Sequence, residues 1–155
     1  MSIDIRPANA EDLERLLPLV EAFHRQDGYP FEPRLVRRVL GRLLASPELG
    51  RVWVAEAGAD AGGYCALCFG YSIEFEGRDA FVDELFVRED RRGAGLGARL
   101  LGAAEGGCRE AGVAALHLEV ERNNERAHAL YRRRGYGDHD RYLLTKWIGR
   151  DGEGS

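Results

Sequence analysis

The sequence predicts a mixed α/β fold of the α+β kind, with helices flanking a sheet in a single domain over residues 1–148. Three observations lead there. The apolar pattern alternates between strand and helix periodicity in the order strand, two helices, three consecutive strands, helix, strand, helix, strand. At 155 residues the chain can bury a continuous core without disulfide or metal staples. Its composition, 45% hydrophobic and 31% charged, is that of an ordinary globular protein.

Ser2 to Arg6 alternates apolar and polar residues and Pro7 stops it, as a short first strand would. Asn9 is placed to cap a helix whose Leu13, Leu16, Leu17, Val20 and Phe23 share one face. Gln26 to Pro33 is a turn-rich loop carrying Tyr29 and Phe31. A second helix follows, with Leu35, Val36, Val39, Leu40, Leu43 and Leu44 at helical spacing until Ser46-Pro47. Arg51 to Ala55, Gly63 to Phe75 and Ala80 to Val87 are predicted strands separated by glycine-containing turns. A glycine-rich loop then opens a helix with Leu96, Leu100, Leu101, Ala104 and Cys108 on one side. Ala115 to Val120 is a predicted strand, Asn123 or Asn124 caps the next helix, and Tyr142 to Ile148 is a predicted final strand. Gly149 to Ser155 is polar and glycine-rich, and a disordered tail is expected.

Charge and composition narrow the function classes. A net charge of −4 disfavours general nucleic-acid binding and suits a cationic substrate. No apolar run approaches the ~20 residues of a membrane span, so no membrane partner is expected. Met1 to Pro7 lacks the apolar core of a signal peptide, and a cytoplasmic protein is expected. Cys65, Cys68 and Cys108 form neither a disulfide framework nor a zinc ligand set, and His24, His117, His128 and His139 lack ligand spacing. No metal is expected.

The chemistry concentrates in two stretches. Arg91-Arg92-Gly93-Ala94-Gly95-Leu96-Gly97 joins an apolar strand to a helix, where free amides, the helix dipole and arginines favour a phosphate or pyrophosphate. It is not a P-loop, lacking Lys-Ser/Thr after the last glycine, and its spacing is not that of a dinucleotide fingerprint. The second stretch is Asn124-Glu125-Arg126-Ala127-His128-Ala129-Leu130-Tyr131-Arg132-Arg133-Arg134-Gly135-Tyr136.

Together these stretches resemble the GNAT superfamily of N-acetyltransferases: the first matches its R-x-x-G-x-G/A signature and the second its N-x-x-A-x-x-L-Y-x-x-x-G-F/Y pattern. Phe81 to Val87 looks like that superfamily's fourth strand. The resemblance implies a mostly antiparallel, twisted sheet whose fourth and fifth strands splay apart to admit acetyl-CoA. It implies that Arg92, Gly93, Ala94, Gly95, Leu96, Gly97 and Ala98 hold the pyrophosphate. Backbone groups of Leu85 and Val87 would pair with the pantetheine arm, amides near Leu85 and Phe86 would polarise the thioester carbonyl, and Asn124 and Ala127 would help fix the cofactor.

Asp83 and Glu84 interrupt an apolar strand, and strand alternation sends one of them to a covered face. One is expected to act as general base or amine-binding anion, the other to pair with Arg91, Arg78 or another arginine. The resemblance ranks Asp83 first. It also implies that Tyr131 lies near the CoA sulfur and donates to the departing thiolate. Direct transfer to a primary amine is implied, the acceptor being a small cationic amine or a protein amine. A non-catalytic acetyl-CoA-binding sensor is the alternative. Tyr29, Phe31 and Glu74 are candidate acceptor-binding residues, and the strand edge around Tyr142 to Ile148 is a candidate homodimer surface.

Overall fold

Alternating side chains along two central strands send alternate residues to opposite faces, and the helices cover both. In the computed structural model, which describes residues 2–150, the elements are β1 (Asp4–Pro7), α1 (Leu13–Gln26), α2 (Pro33–Ala45), β2 (Gly50–Ala57), β3 (Asp60–Ser72), β4 (Gly77–Val87), α3 (Leu96–Glu110), β5 (Ala115–His117) and α4 (Glu125–Arg133). The five strands lie in the order β1-β2-β3-β4-β5, antiparallel throughout except for the parallel β4–β5 pair. Val52, Val54, Tyr64, Ala66 and Phe86 pack under Leu16, Leu19 and Val20 of α1 and Leu40 of α2. Trp53, Ala55, Cys65, Leu67 and Ala80 pack under Leu96, Leu100, Ala104 and Cys108 of α3. Each fully buried leucine contributes about 1.5–3 kcal/mol, so these two layers hold the sheet.

Gly107 of α3, costly in an isolated helix, has a packing cause. A Cβ on Gly107 would lie 2.5 Å from the Trp53 ring, so only glycine lets α3 approach β2 this closely.

The chain divides into two compact units, Met1–Glu121 and Arg122–Ser155. The sheet, both core layers and α1–α3 belong to the first; α4 is the regular element of the second. Two sequence expectations need correction here. The strand expected over Ala115 to Val120 is paired only as far as His117. No strand forms over Tyr142 to Ile148, where Tyr142, Leu143, Leu144, Trp147 and Ile148 are exposed. An apolar run lacking period-2 alternation has nothing to set a register. The sheet edge expected there for self-association is therefore not formed by these residues. The expected tail overlaps residues 151–155, which lie outside the described residues.

An ion network ties β1 and β2 to the start of α1. Arg6 donates to Glu56 Oε1 from Nε at 2.8 Å and to Asp12 Oδ1 from its terminal nitrogen at 2.7 Å, while Arg15 reaches Glu56 Oε2 at 2.9 Å. Asp12 also accepts from the Asn9 amide while Asn9 caps the turn, a reciprocal capping box. Hydrogen bonds from Arg6 and Arg15 hold the Glu56 carboxyl down at about 2, and Arg6 lowers that of Asp12. Both folded values lie below the ordinary ones, so the stabilisation is present above those values and lost as pH falls through the folded ones. The urea midpoint should therefore decline as pH drops from 4.5 toward 2, and Glu56→Gln should flatten that decline. An identical slope in the variant would show that the network does not report on folding.

Candidate active site

The register of β4 places its two acids. Ala66 pairs with Glu84 and Leu67 with Val82, so Asp83 is the extra residue of a β-bulge without a partner on β3. Val82 and Leu85, three residues apart, consequently pack on the same α3 layer, whereas Phe86 joins the α1 layer. Simple alternation fails at this point. The bulge lies just beyond the end of the β4–β5 pairing, which covers only Asp79 to Phe81 of β4. From residue 82 to 87, β4 has no strand on its β5 side among the described residues, which is the splay the resemblance implied.

Glu84 does not pair with an arginine, contrary to the expectation for one of the two acids. Tyr64 donates its hydroxyl to Glu84 Oε1 at 2.7 Å, and His24 Nε2 lies 2.6 Å from Glu84 Oε2. A carboxylate oxygen accepts, so the Tyr64 hydroxyl donates, and His24 donates in the tautomer that carries its proton on Nε2. The distant arginines are engaged elsewhere: Arg78 caps the Ala111 carbonyl at 3.2 Å, and Arg91 reaches Asp60 at 3.1 Å. Burial, then the Glu84 charge, drives the Tyr64 phenol far above its ordinary value, which keeps it a donor. Asp83 is exposed and makes no hydrogen bond or ion pair among the described residues. Crowding by protein atoms, then repulsion from Glu84, raises its carboxyl above the ordinary value, while His24 acts in the opposite direction.

Sequence reasoning missed His24 and Tyr64. His24 follows Leu16 and Val20 at intervals of four along the covered face of α1, the signal by which it was legible. Phe23, Tyr29 and Phe31 stand around its ring, with centroids 5.9, 6.0 and 6.1 Å away. Tyr29 is exposed, and Phe31 is half-buried against the α1 layer. Glu74 is exposed in the turn between β3 and β4.

The glycine-rich turn is built as its sequence suggested. Gly93 and Gly95 have φ of +90° and +79°, and a Cβ at either would meet nothing within 4 Å, so backbone rather than side chains lines an open approach. Gly95 caps α3 with no side-chain hydrogen bond, and the first intrahelical bond comes from the Arg99 amide to the Gly95 carbonyl at 3.1 Å. The amides of Leu96, Gly97 and Ala98 thus precede the helical ladder and remain for an anion. Ala94 is exposed between the two glycines. Arg92 serves the loop itself: it donates to the Val87 carbonyl at 2.9 Å and the Gln26 side chain at 2.5 Å, with its guanidinium 5.6 Å above Phe86. The Val87 carbonyl is thereby engaged. An uncapped helix start beneath a turn with two open glycines is a place where an anion can be taken.

The second unit carries the other motif. Asn124 caps α4, its side chain accepting from the Ala127 amide at 3.2 Å. Tyr131 is half-buried, and its ring stands edge-on to Tyr136 with centroids 6.1 Å apart. His128 and Arg132 converge on Asp138 at 2.7 and 2.5 Å and pull its carboxyl down to about 2.

The sequence profile of the acetyltransferase (GNAT) family matches residues 15–136. The chain belongs to this family. It is 31% identical over 127 residues to an IAA acetyltransferase of Azospirillum brasilense, covering 81% of this chain and 78% of that one. An integron cassette protein from the mobile metagenome of the Cole Harbour salt marsh is 34% identical, with a TM-score of 0.83 over 94% of this chain and 91% of that one. A predicted acetyltransferase of Clostridium acetobutylicum, solved with acetyl-CoA, shares the fold at a TM-score of 0.79 and 18% identity, over 94% of this chain and 96% of that one.

This GNAT protein is thus an acetyl-CoA-dependent N-acetyltransferase. Its three cysteines are free, and burial pushes the thiols of Cys65 and Cys68 up to about 12 and about 11, values that leave them unreactive near neutral pH. Among the described residues no group of three His, Cys, Asp or Glu side chains is arranged to hold a metal ion, and no helix is long and apolar enough to cross a membrane.

Proposed function

We propose that this GNAT enzyme transfers the acetyl group directly from acetyl-CoA to a primary amine, either a small cationic amine or a protein amine, with Asp83 as general base. The observation that carries the reading is the β4 bulge, which leaves Asp83 exposed and unpartnered with a raised carboxyl beside the fixed charge of Glu84. Proton transfer from an ammonium of pKa ~10 to an ordinary carboxylate of pKa ~4 is uphill by about 8 kcal/mol. Raising Asp83 narrows that gap, and a water between acid and amine would bridge the rest. Bound acetyl-CoA supplies the activated acyl group and a thiolate leaving group. The acceptor nitrogen sheds two protons in the reaction: one reaches solvent by way of Asp83, and the other matches the proton that Tyr131 gives to the thiolate. The glycine turn and the amides of Leu96 to Ala98 take the pyrophosphate, and Leu85, Phe86, Asn124 and Ala127 complete the cofactor contacts. Tyr29, Phe31 and the two carboxylates suit a cationic acceptor.

Two measurements test the reading. Release of free CoA thiol across a panel of amines, peptides with free N-termini and lysine peptides should single out an acceptor class; no release with any of them would sink it. Acetyl-CoA at 100 times its Kd should also raise stability by about 2.7 kcal/mol, seen as a higher Tm. Gly95→Val forces a branched side chain into left-handed backbone at φ +79° and fills the open approach, so acetyl-CoA affinity should fall by about tenfold or more. Unchanged affinity would show that the turn does not hold the pyrophosphate.

A further inference from the structure

Glu84 has both oxygens taken. Tyr64, on the neighbouring strand, holds Oε1 at 2.7 Å, and His24, in the last turn of α1, holds Oε2 at 2.6 Å. Tyr64 is buried, and its ring packs 6.2 Å from Phe86, so the first donor is immobilised. The His24 ring is hemmed by Phe23, Tyr29 and Phe31, and its Nδ1 is buried with no hydrogen-bond partner among the described residues. Next in the chain, Asp83 is exposed at the bulge with both oxygens free.

We propose that His24 is a positioning residue for acetyl transfer: with Tyr64 it pins Glu84 as a fixed anion, so that Asp83 rather than Glu84 receives the proton of the acceptor amine. This rests on Asp83 being the base. A carboxylate held at both oxygens cannot swing toward the acceptor, and its two donors already favour the charged form, whereas Asp83 is under neither constraint. The division of labour is that of paired acids whose surroundings push them apart. The ionisable groups facing the pair are His24 from α1, Tyr29 from the loop after it, Tyr64 and Cys68 from β3, and Glu119 beyond β5.

His24→Ala and His24→Gln separate the roles, because a glutamine amide reproduces the Nε2 donor and cannot carry the imidazole proton. With acetyl-CoA and an accepted amine, His24→Ala should lower kcat about tenfold or more, the scale of a lost hydrogen bond to a charged group, with acetyl-CoA affinity unchanged. His24→Gln should restore most of that loss. Glu84→Gln, which removes the fixed charge, should move the acidic limb of the kcat/KM profile to lower pH, because repulsion from Glu84 raises Asp83. Wild-type kcat in His24→Ala, no recovery in His24→Gln, or an unmoved acidic limb in Glu84→Gln would each overturn the assignment. If His24→Ala does not fold, His24→Leu fills the space without a donor and is read the same way. Asp83→Asn measured in parallel keeps the two ideas apart: a slow Asp83→Asn with a wild-type His24→Ala rejects only the positioning role, whereas a wild-type Asp83→Asn rejects the base on which it rests.

Discussion

Asp83→Asn is expected to lower kcat by about 10²- to 10⁴-fold, the range for a positioned general base, while acetyl-CoA affinity and Tm stay near wild type. The substitution is nearly isosteric, and among the described residues Asp83 makes no hydrogen bond or ion pair whose loss would unfold the strand. A base must be ionised to act, so kcat/KM in the wild type should fall as pH drops through the Asp83 value, which lies above the ordinary 3.8. The asparagine variant should lack that limb. Turnover equal to wild type would remove Asp83 from the chemistry, and the fixed Glu84 would then have to be the base despite its two donors.

What the sequence made legible follows the range over which each signal acts. The faces of α1 and α2 were readable because helical period is local: Leu16 and Val20 are buried where the spacing puts them. The glycine turn was readable because positive φ and absent side chains are encoded in the residue type itself, as Gly93 and Gly95 confirm. The length of β5 was not, since strand pairing depends on a partner elsewhere in the chain, and β4 accompanies it for only three residues. Tyr142 to Ile148 misled for the same reason: apolar residues imply burial only if something is there to bury them.

At the acids the limit was sharper. Alternation correctly warned that a carboxylate on β4 would meet a covered face, and Glu84 does. It could not reveal the bulge, because one extra residue leaves the composition of the strand unchanged while reversing the facing of everything before it. Nor did local pattern connect His24 to Glu84, 60 residues away. Arginine was the expected partner because a charge pair is the commonest way to satisfy a buried acid. Here a phenol and an imidazole do so without neutralising Asp83 as well, which an arginine between the two acids would do.

Tyr131→Phe separates chemistry from binding. The variant keeps the ring and its edge-on packing with Tyr136, and α4 retains its Asn124 cap. A phenol of pKa ~10 donating to a thiolate of pKa ~8.5 is uphill by only about 2 kcal/mol, so late proton transfer or a strong hydrogen bond to the departing sulfur is feasible. Loss of that donor should lower kcat by about 10²- to 10⁴-fold. Acetyl-CoA affinity should change little, because a donor to the departing thiolate acts on charge that appears only as the C–S bond breaks. An equal loss in kcat and in affinity would instead assign Tyr131 to holding the cofactor. Wild-type turnover in Tyr131→Phe, measured with an amine that the wild type accepts, would leave thiolate protonation to solvent, and the second motif would then serve binding through Asn124 and Ala127 rather than chemistry.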